Sequence, residues 1–336
     1  MSTANLSPDV GPAGDTDLGR AVATGSPLVP TAPPSQVRRR GPAGGWQQAA
    51  GHQAFLVPIV AVFLVLFVVP LGQTFWYSFT DFSGYSLDTE FVGLANYARI
   101  LTDPSMLAGL GFTIGFAVAQ TALITALAIP LAVALNRAFA GRNLVRSLLF
   151  FPAIPSIAVL GLVWTYILSP LGSGVLNQVI DALTGLGPLP FLSDPWMARA
   201  SVVLVAVWSQ VGWHAVLYLA YLQSIPADYY EVATIDGASR PQQFRLITLP
   251  LLAPAITIST FLLMTNGLKV YDLPFTLTGG GPGYATTTLT QSIITSGVAQ
   301  GEYGRASALA VLFTLAVGAV SLSQLLWSRS IEGRIR

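Results

Sequence analysis

The 336-residue sequence has no cysteine, two histidines and a single lysine, and only 9% of its residues are charged. Without cysteine there are no disulfides, no thiolate metal sites and no cysteine nucleophile. Two scattered histidines, His52 and His214, leave little for zinc chemistry. A glycine-rich loop ending in Lys-Ser or Lys-Thr, the usual cradle for nucleotide phosphates, is also missing, so no nucleotide or metal cofactor is expected on this chain. Soluble domains carry about a quarter charged residues. With 53% hydrophobic residues and a mean hydropathy of +0.63, water is not the main solvent of this surface.

What is present is a series of long uncharged windows, at about 55–79, 107–135, 147–168, 201–222, 251–268 and 306–327. A bilayer core about 30 Å thick needs roughly 20 apolar residues per helical crossing, and helices are required because a lipid-exposed backbone must satisfy its own hydrogen bonds. The reading is an all-α polytopic helical bundle of about six transmembrane helices. Pro58 and Pro70 predict a capped start and a kink in the first. Residues 1–50, rich in Pro, Gly, Ala, Ser and Thr, predict a disordered tail ahead of a membrane domain over 51–336. The tail is too polar at its start for a cleavable signal peptide.

Arginine placement gives an orientation. With the N-terminus inside, the inner segments hold Arg38, Arg39, Arg40, Arg137, Arg142, Arg146, Arg240, Arg245 and Arg329, whereas the outer loops at 80–106, 169–199 and 270–305 hold few basic residues. This bias predicts both termini on the cytoplasmic side of a bacterial inner membrane.

The inner segment 223–250 carries the most information. Pro226 suits a first helical turn, and Asp228 and Glu231 complement a helix N-terminus. Gly237 suits a helix end, and Ser239 a cap for a second short helix containing Pro241 and Arg245. Ile247-Thr248-Leu249-Pro250 then leads back into the membrane. Glu231 alone reads first as a plain helix-terminal carboxylate, and only the complete motif favours a functional role.

Glu231-Val232-Ala233, Gly237 three residues on, and then Ile247, Leu249 and Pro250 resemble the EAA loop of ABC-importer permeases, with Val232 where the motif has alanine. Phe91-Val92-Gly93-Leu94-Ala95-Asn96-Tyr97 and Leu277-Thr278-Gly279-Gly280-Gly281-Pro282 resemble the sugar branch of that family, which includes maltose and glycerol-phosphate permeases. The resemblance covers most of 55–328 and implies a type I importer fold. It also implies a second permease subunit, an extracytoplasmic binding protein, and a cytoplasmic ATPase dimer that carries the ATP and Mg. In the family the EAA loop docks on that ATPase. Carried over, Glu231, Ala233, Gly237, Ile247, Leu249 and Pro250 are motif positions of a coupling element, with Asp236 and Arg240 as flanking contacts.

A sugar path needs hydrogen-bonding side chains and aromatic faces at mid-depth, and the expected candidates are Gln210, Trp213, His214, Asn266, Lys269, Tyr271 and Asp272. Each has a plainer reading. Trp213 and Tyr271 can be interfacial or packing aromatics, His214 a packing residue, and Lys269 with Asp272 a structural pair three residues apart on a helix. Leu263, Gly267 and Val270 stand where the maltose-type pocket has polar groups, which leaves the sugar open, trehalose among the candidates. Three other functions compete. An ion-driven transporter is disfavoured by apolar windows without Asp or Glu. A membrane enzyme would need a nucleophile–base pair or a metal set. An ABC permease for a non-sugar solute is opposed only by the two sugar-branch stretches. No nucleic-acid partner is expected.

Overall fold

The computed structural model describes residues 56–86, 88–171 and 174–335, so the tail expected at 1–50 lies outside the described residues. The chain divides into two units, Met1–Ile59 and Val60–Arg336, and of the first only residues 56–59 are described. In chain order the helices are α1 Leu56–Tyr77, α2 Ala95–Thr102, α3 Pro104–Asn136, α4 Arg142–Ala153, α5 Ile157–Ile167, α6 Val175–Thr184, α7 Pro195–Leu222, α8 Asp228–Ile235, α9 Arg240–Leu268, α10 Asp272–Thr278, α11 Leu289–Ile294 and α12 Tyr303–Ile335. Among the described residues the extended structure amounts to an isolated bridge between Thr80 and Phe91.

Among the described residues five helices (α1, α3, α7, α9 and the stretch Tyr303–Leu326 of α12) are long and apolar enough to cross a bilayer. The third window differs from expectation. It is not one straight crossing: α4 and α5 meet at 93° across residues 154–156, and the pair makes a sixth span only if counted together. Pro155, which has no N–H to continue the ladder of α4, stands at the break, and the chain turns at Ser156 (ψ 135°) before α5 begins.

The two central helices start by the same device. Asp103 caps α3, its Oδ1 accepting the backbone N–H groups of Ser105 (2.8 Å) and Met106 (3.4 Å), with Pro104 in the first turn. Asp194 caps α7 through Trp196 (3.0 Å) and Met197 (2.9 Å), again followed by proline. Such a cap satisfies otherwise orphan donors and contributes about 1 kcal/mol.

Two prolines inside α1 and α9 are accommodated in a common way. A π turn spans Leu64–Val68, with Val69 donating to the Leu64 carbonyl, directly ahead of Pro70. A second spans Phe244–Thr248, with Leu249 donating to the Phe244 carbonyl, directly ahead of Pro250. The widened turn makes room for a ring that has no N–H to place in the regular ladder. Pro70 therefore sits in a locally widened α1 and not at a helix break. For the same reason the second short helix expected after Ser239 is not separate: it is the first turns of the continuous 29-residue α9.

The core forms where α3 packs along α7 and α9. Ile124, Ala128 and Ala132 meet Ala215, Tyr218, Leu219, Leu252 and Ala255, all buried. Glycine lets backbones approach here, as is usual between membrane helices. A Cβ on Gly212 of α7 would overlap the Leu149 carbonyl of α4, and one on Gly267 of α9 would lie 2.8 Å from Ala117 Cα of α3.

Candidate functional site

Two places hold the residues singled out by sequence, and they lie on consecutive elements. The first is the 223–250 segment. Tyr229, Val232 and Ile235 are 54%, 57% and 85% exposed, so α8 shows a row of apolar side chains. Asp228 and Glu231 lie in its first turn, where they complement the helix dipole. Pro226 precedes the helix, whose cap position is Ala227, so it is outside the first turn it was expected to occupy. Glu231 is exposed, and every ion pair among the described residues involves Arg305, so its carboxylate makes no ion pair among them.

The α8 helix ends in a left-handed cap. Gly237 has φ +77°, its N–H donates to the Thr234 carbonyl (3.1 Å), and the next N–H, of Ala238, donates to the Ala233 carbonyl (2.9 Å). This is the paired closure in which glycine is favoured because a side chain would crowd the backbone. Asp236 is the residue before it. Ser239 then caps α9, its N–H donating to Gln242 Oε1 at 2.7 Å, and Arg240 opens the helix. Gln243 Nε2 reaches back to Thr234 Oγ1 (3.1 Å) and the Ala238 carbonyl (3.2 Å). Tyr230 Oη and Thr248 Oγ1 are 3.0 Å apart. These bonds tie α8 to the base of α9 from two sides. Ile247 lies in the π turn, and Leu249 and Pro250 follow it.

The second place is a cavity of about 350 Å³ between α3, α5, α7, α9 and the start of α10. Its wall includes Gln210, His214, Asn266, Lys269, Tyr271 and Asp272, which brings together six residues separated by up to 62 positions in the chain. His214 is buried, with Nδ1 2.7 Å from Ser259 Oγ. Trp213 is not in the wall: it is 36% exposed and packs edge-on against the His214 ring at 4.7 Å. Lys269 and Asp272 do not share a helix. Lys269 closes α9, Tyr271 breaks the helical path with φ −141°, and Asp272 begins α10, so the expected structural pair does not form.

Gln120 was not singled out, yet it builds the cavity. It stands at the midpoint of α3, is 6% exposed, lines the wall and donates from Nε2 to the Leu263 carbonyl of α9 at 2.9 Å. The signal was available, since an amide in the middle of an apolar 33-residue helix needs a partner across a helix interface. Chemically the cavity combines an amide wall, one cation, one carboxylate and the Tyr271 ring, which stacks on Phe275 at 5.1 Å. Charged side chains within a membrane bundle are costly unless they face an aqueous cavity or a ligand. Among the described residues no cluster of His, Cys, Asp and Glu could hold a metal ion.

Comparison with known proteins gives a consistent set of relatives. The family described as "Binding-protein-dependent transport system inner membrane component" matches residues 124–336. A probable ABC transporter permease protein, y4oQ, from Sinorhizobium fredii is 37% identical over 278 residues, covering 81% of this chain and 88% of the relative. The trehalose/maltose transport system permease protein MalF of Thermococcus litoralis is 34% identical over 80% of this chain and 90% of its own length. A chain in the crystal structure of a bacterial ABC transporter for import of the acidic polysaccharide alginate superposes with a TM-score of 0.74 at 22% identity, covering 85% of this chain and 98% of that one, a likeness of fold.

Proposed function

Since the chain belongs to the family of binding-protein-dependent transport inner membrane components, we propose that it forms part of the translocation path of a sugar importer and couples that path to a separate ATPase. The observation that carries the reading is the α8–α9 continuity. An exposed helix bearing the Glu231 carboxylate is fastened by side-chain bonds to the foot of a helix whose far end lines a polar cavity. A push on α8 is thereby delivered to α9 and not absorbed in a slack loop. Several relatives carry saccharides in their names, including trehalose/maltose and starch degradation products, which favours a sugar as the solute.

In this reading Glu231, with Val232 and Ile235 beside it, docks on a cytoplasmic ATPase that binds ATP and Mg, and this chain binds neither. Gly237 sets the turn, and the remaining motif positions hold α8 on α9. ATP-driven closure of the ATPase dimer biases a two-state equilibrium of the permease pair between inward-facing and outward-facing forms. Gln210, Asn266 and Gln120 offer amide groups to sugar hydroxyls and Tyr271 a ring face, while Lys269 and Asp272 supply charge-assisted bonds. A second permease subunit completes the path, and a binding protein outside delivers the solute. Both termini then lie on the cytoplasmic side.

ATP-dependent uptake of labelled maltose and trehalose into proteoliposomes holding the assembled complex tests the proposal. Gln210→Ala and Asn266→Ala should each reduce uptake at least tenfold while the complex still assembles. Unchanged uptake in both would remove the cavity from the path.

A further inference from the structure

A second polar cavity, of about 490 Å³, lies between the start of α3, the 279–287 segment, α11 and the start of α12, at the end of the bundle away from α8. Tyr284, 59% exposed, stands in its wall together with Thr287, Gln291, Ser292 and Ser296. The charged groups of this wall are already matched: Arg305 pairs with Asp103 and, at 2.9 Å, with Glu302. What the cavity offers a ligand is therefore the one unpartnered Nε–H of the paired Arg305 and otherwise neutral hydroxyl and amide groups beside an aromatic face.

Gln291 gives the second observation. Its Nε2 donates to the Gly279 carbonyl at 2.9 Å, while its buried Oε1 has no hydrogen-bond partner among the described residues. Ser296, 1% exposed, lines the same cavity from the π turn Thr295–Ala299. A buried amide oxygen without a partner costs free energy that a ligand hydroxyl can recover.

We propose that this cavity is a separate saccharide subsite on the delivery side of the permease, where a neutral sugar ring stacks on Tyr284 and hydrogen-bonds to Gln291 and Thr287 before it reaches the cavity lined by Gln210. The proposal rests on the sugar-importer reading. Vicinal hydroxyls, each both donor and acceptor, match a wall of mostly uncharged groups, and the C–H face of a pyranose matches an exposed phenol ring. The volume lies within the roughly 300–1,000 Å³ usual for small-molecule sites.

The test is saturation-transfer NMR with maltose and trehalose as probes on the assembled complex in nanodiscs, without the binding protein. The complex carries Gln210→Ala and Asn266→Ala, so that the cavity lined by those residues contributes little. Saturable binding should persist in this background. It should weaken at least tenfold on adding Tyr284→Ala, weaken severalfold with Gln291→Ala, and survive Tyr284→Phe, which keeps the ring and reports on folding. No saturable binding of either sugar in that background, or binding indifferent to Tyr284→Ala, overturns the subsite. If the native complex imports one of these sugars while the subsite fails, the importer reading stands alone. If native complex imports neither probe, both fall together.

Discussion

The phenolic oxygen of Tyr230 on α8 stands 3.0 Å from the hydroxyl of Thr248, which is 6% exposed inside the π turn of α9. This contact joins the exposed helix to the foot of a span, and Thr248 lies two residues from Pro250, whose ring that π turn accommodates. Removing the phenol oxygen leaves the Thr248 hydroxyl only its longer bond to the Gln243 carbonyl (3.4 Å), at a net cost of about 0.5–1.5 kcal/mol. Tyr230→Phe should therefore lower the ratio of sugar transported to ATP hydrolysed by twofold to tenfold, without loss of assembly. Paired measurements of uptake and phosphate release check this.

Gly237 has φ +77°, and a Cβ there would meet nothing within 4 Å. The demand is purely one of backbone conformation. Gly237→Ala should cost roughly 1–2 kcal/mol locally, and Gly237→Asn less, because asparagine tolerates the left-handed region. Thermal unfolding of the purified complex and its coupling ratio should rank Gly, Asn, Ala in that order.

Much of this was legible in the sequence, and the misses have physical causes. The windows give helices because charge is excluded from them, and the 223–250 segment reads well because Asp228, Glu231, Gly237 and Ser239 act locally through dipole, cap and left-handed turn. The 93° bend between α4 and α5 escaped because the absence of charge across 147–168 outweighed Pro155. The unity of α9 escaped because a π turn has no sequence signature of its own, so Ser239 to Pro250 read as a short helix followed by a linker. Gln210, His214, Asn266, Lys269, Tyr271 and Asp272 converge as expected from their chemistry. Trp213 falls outside, its ring lying against His214 and away from the cavity.

Close helix approach is set by single glycines. A methyl on Gly212 would overlap the Leu149 carbonyl, and one on Gly267 would collide with the Gln120 amide that reaches the Leu263 carbonyl. Overpacking of this kind costs typically 1–3 kcal/mol, and here it strikes backbone on one side. Gly212→Ala and Gly267→Ala should lower the unfolding temperature and the yield of assembled complex, whereas Gly318→Ala, with nothing within 4 Å, should leave both unchanged.

Asp103 ties the start of α3 to α12. Its carboxyl is held below the usual carboxylate range by the Ser105 hydroxyl first, then by the Ser105 and Met106 N–H groups and the Arg305 guanidinium, against opposition from burial. A carboxyl with a depressed folded-state pKa stabilises above its unfolded value, and that stabilisation fades as pH falls through the folded one. Thermal stability should therefore decline on acidification below about pH 4. Asp103→Ala should be less stable at neutral pH by roughly 1 kcal/mol for the lost cap, and should show a shallower acid decline. Unfolding temperatures from pH 7 down to pH 3 check both.

The claim that α8 couples a separate ATPase to the sugar path is tested most directly by measuring sugar-stimulated ATP hydrolysis of the reconstituted complex with native Glu231 and with Glu231→Ala. The account predicts that the substitution abolishes stimulated hydrolysis while membrane insertion and assembly persist. Stimulation and uptake equal to native would contradict it, leaving Glu231 as a helix-terminal carboxylate and α8 without a role in coupling.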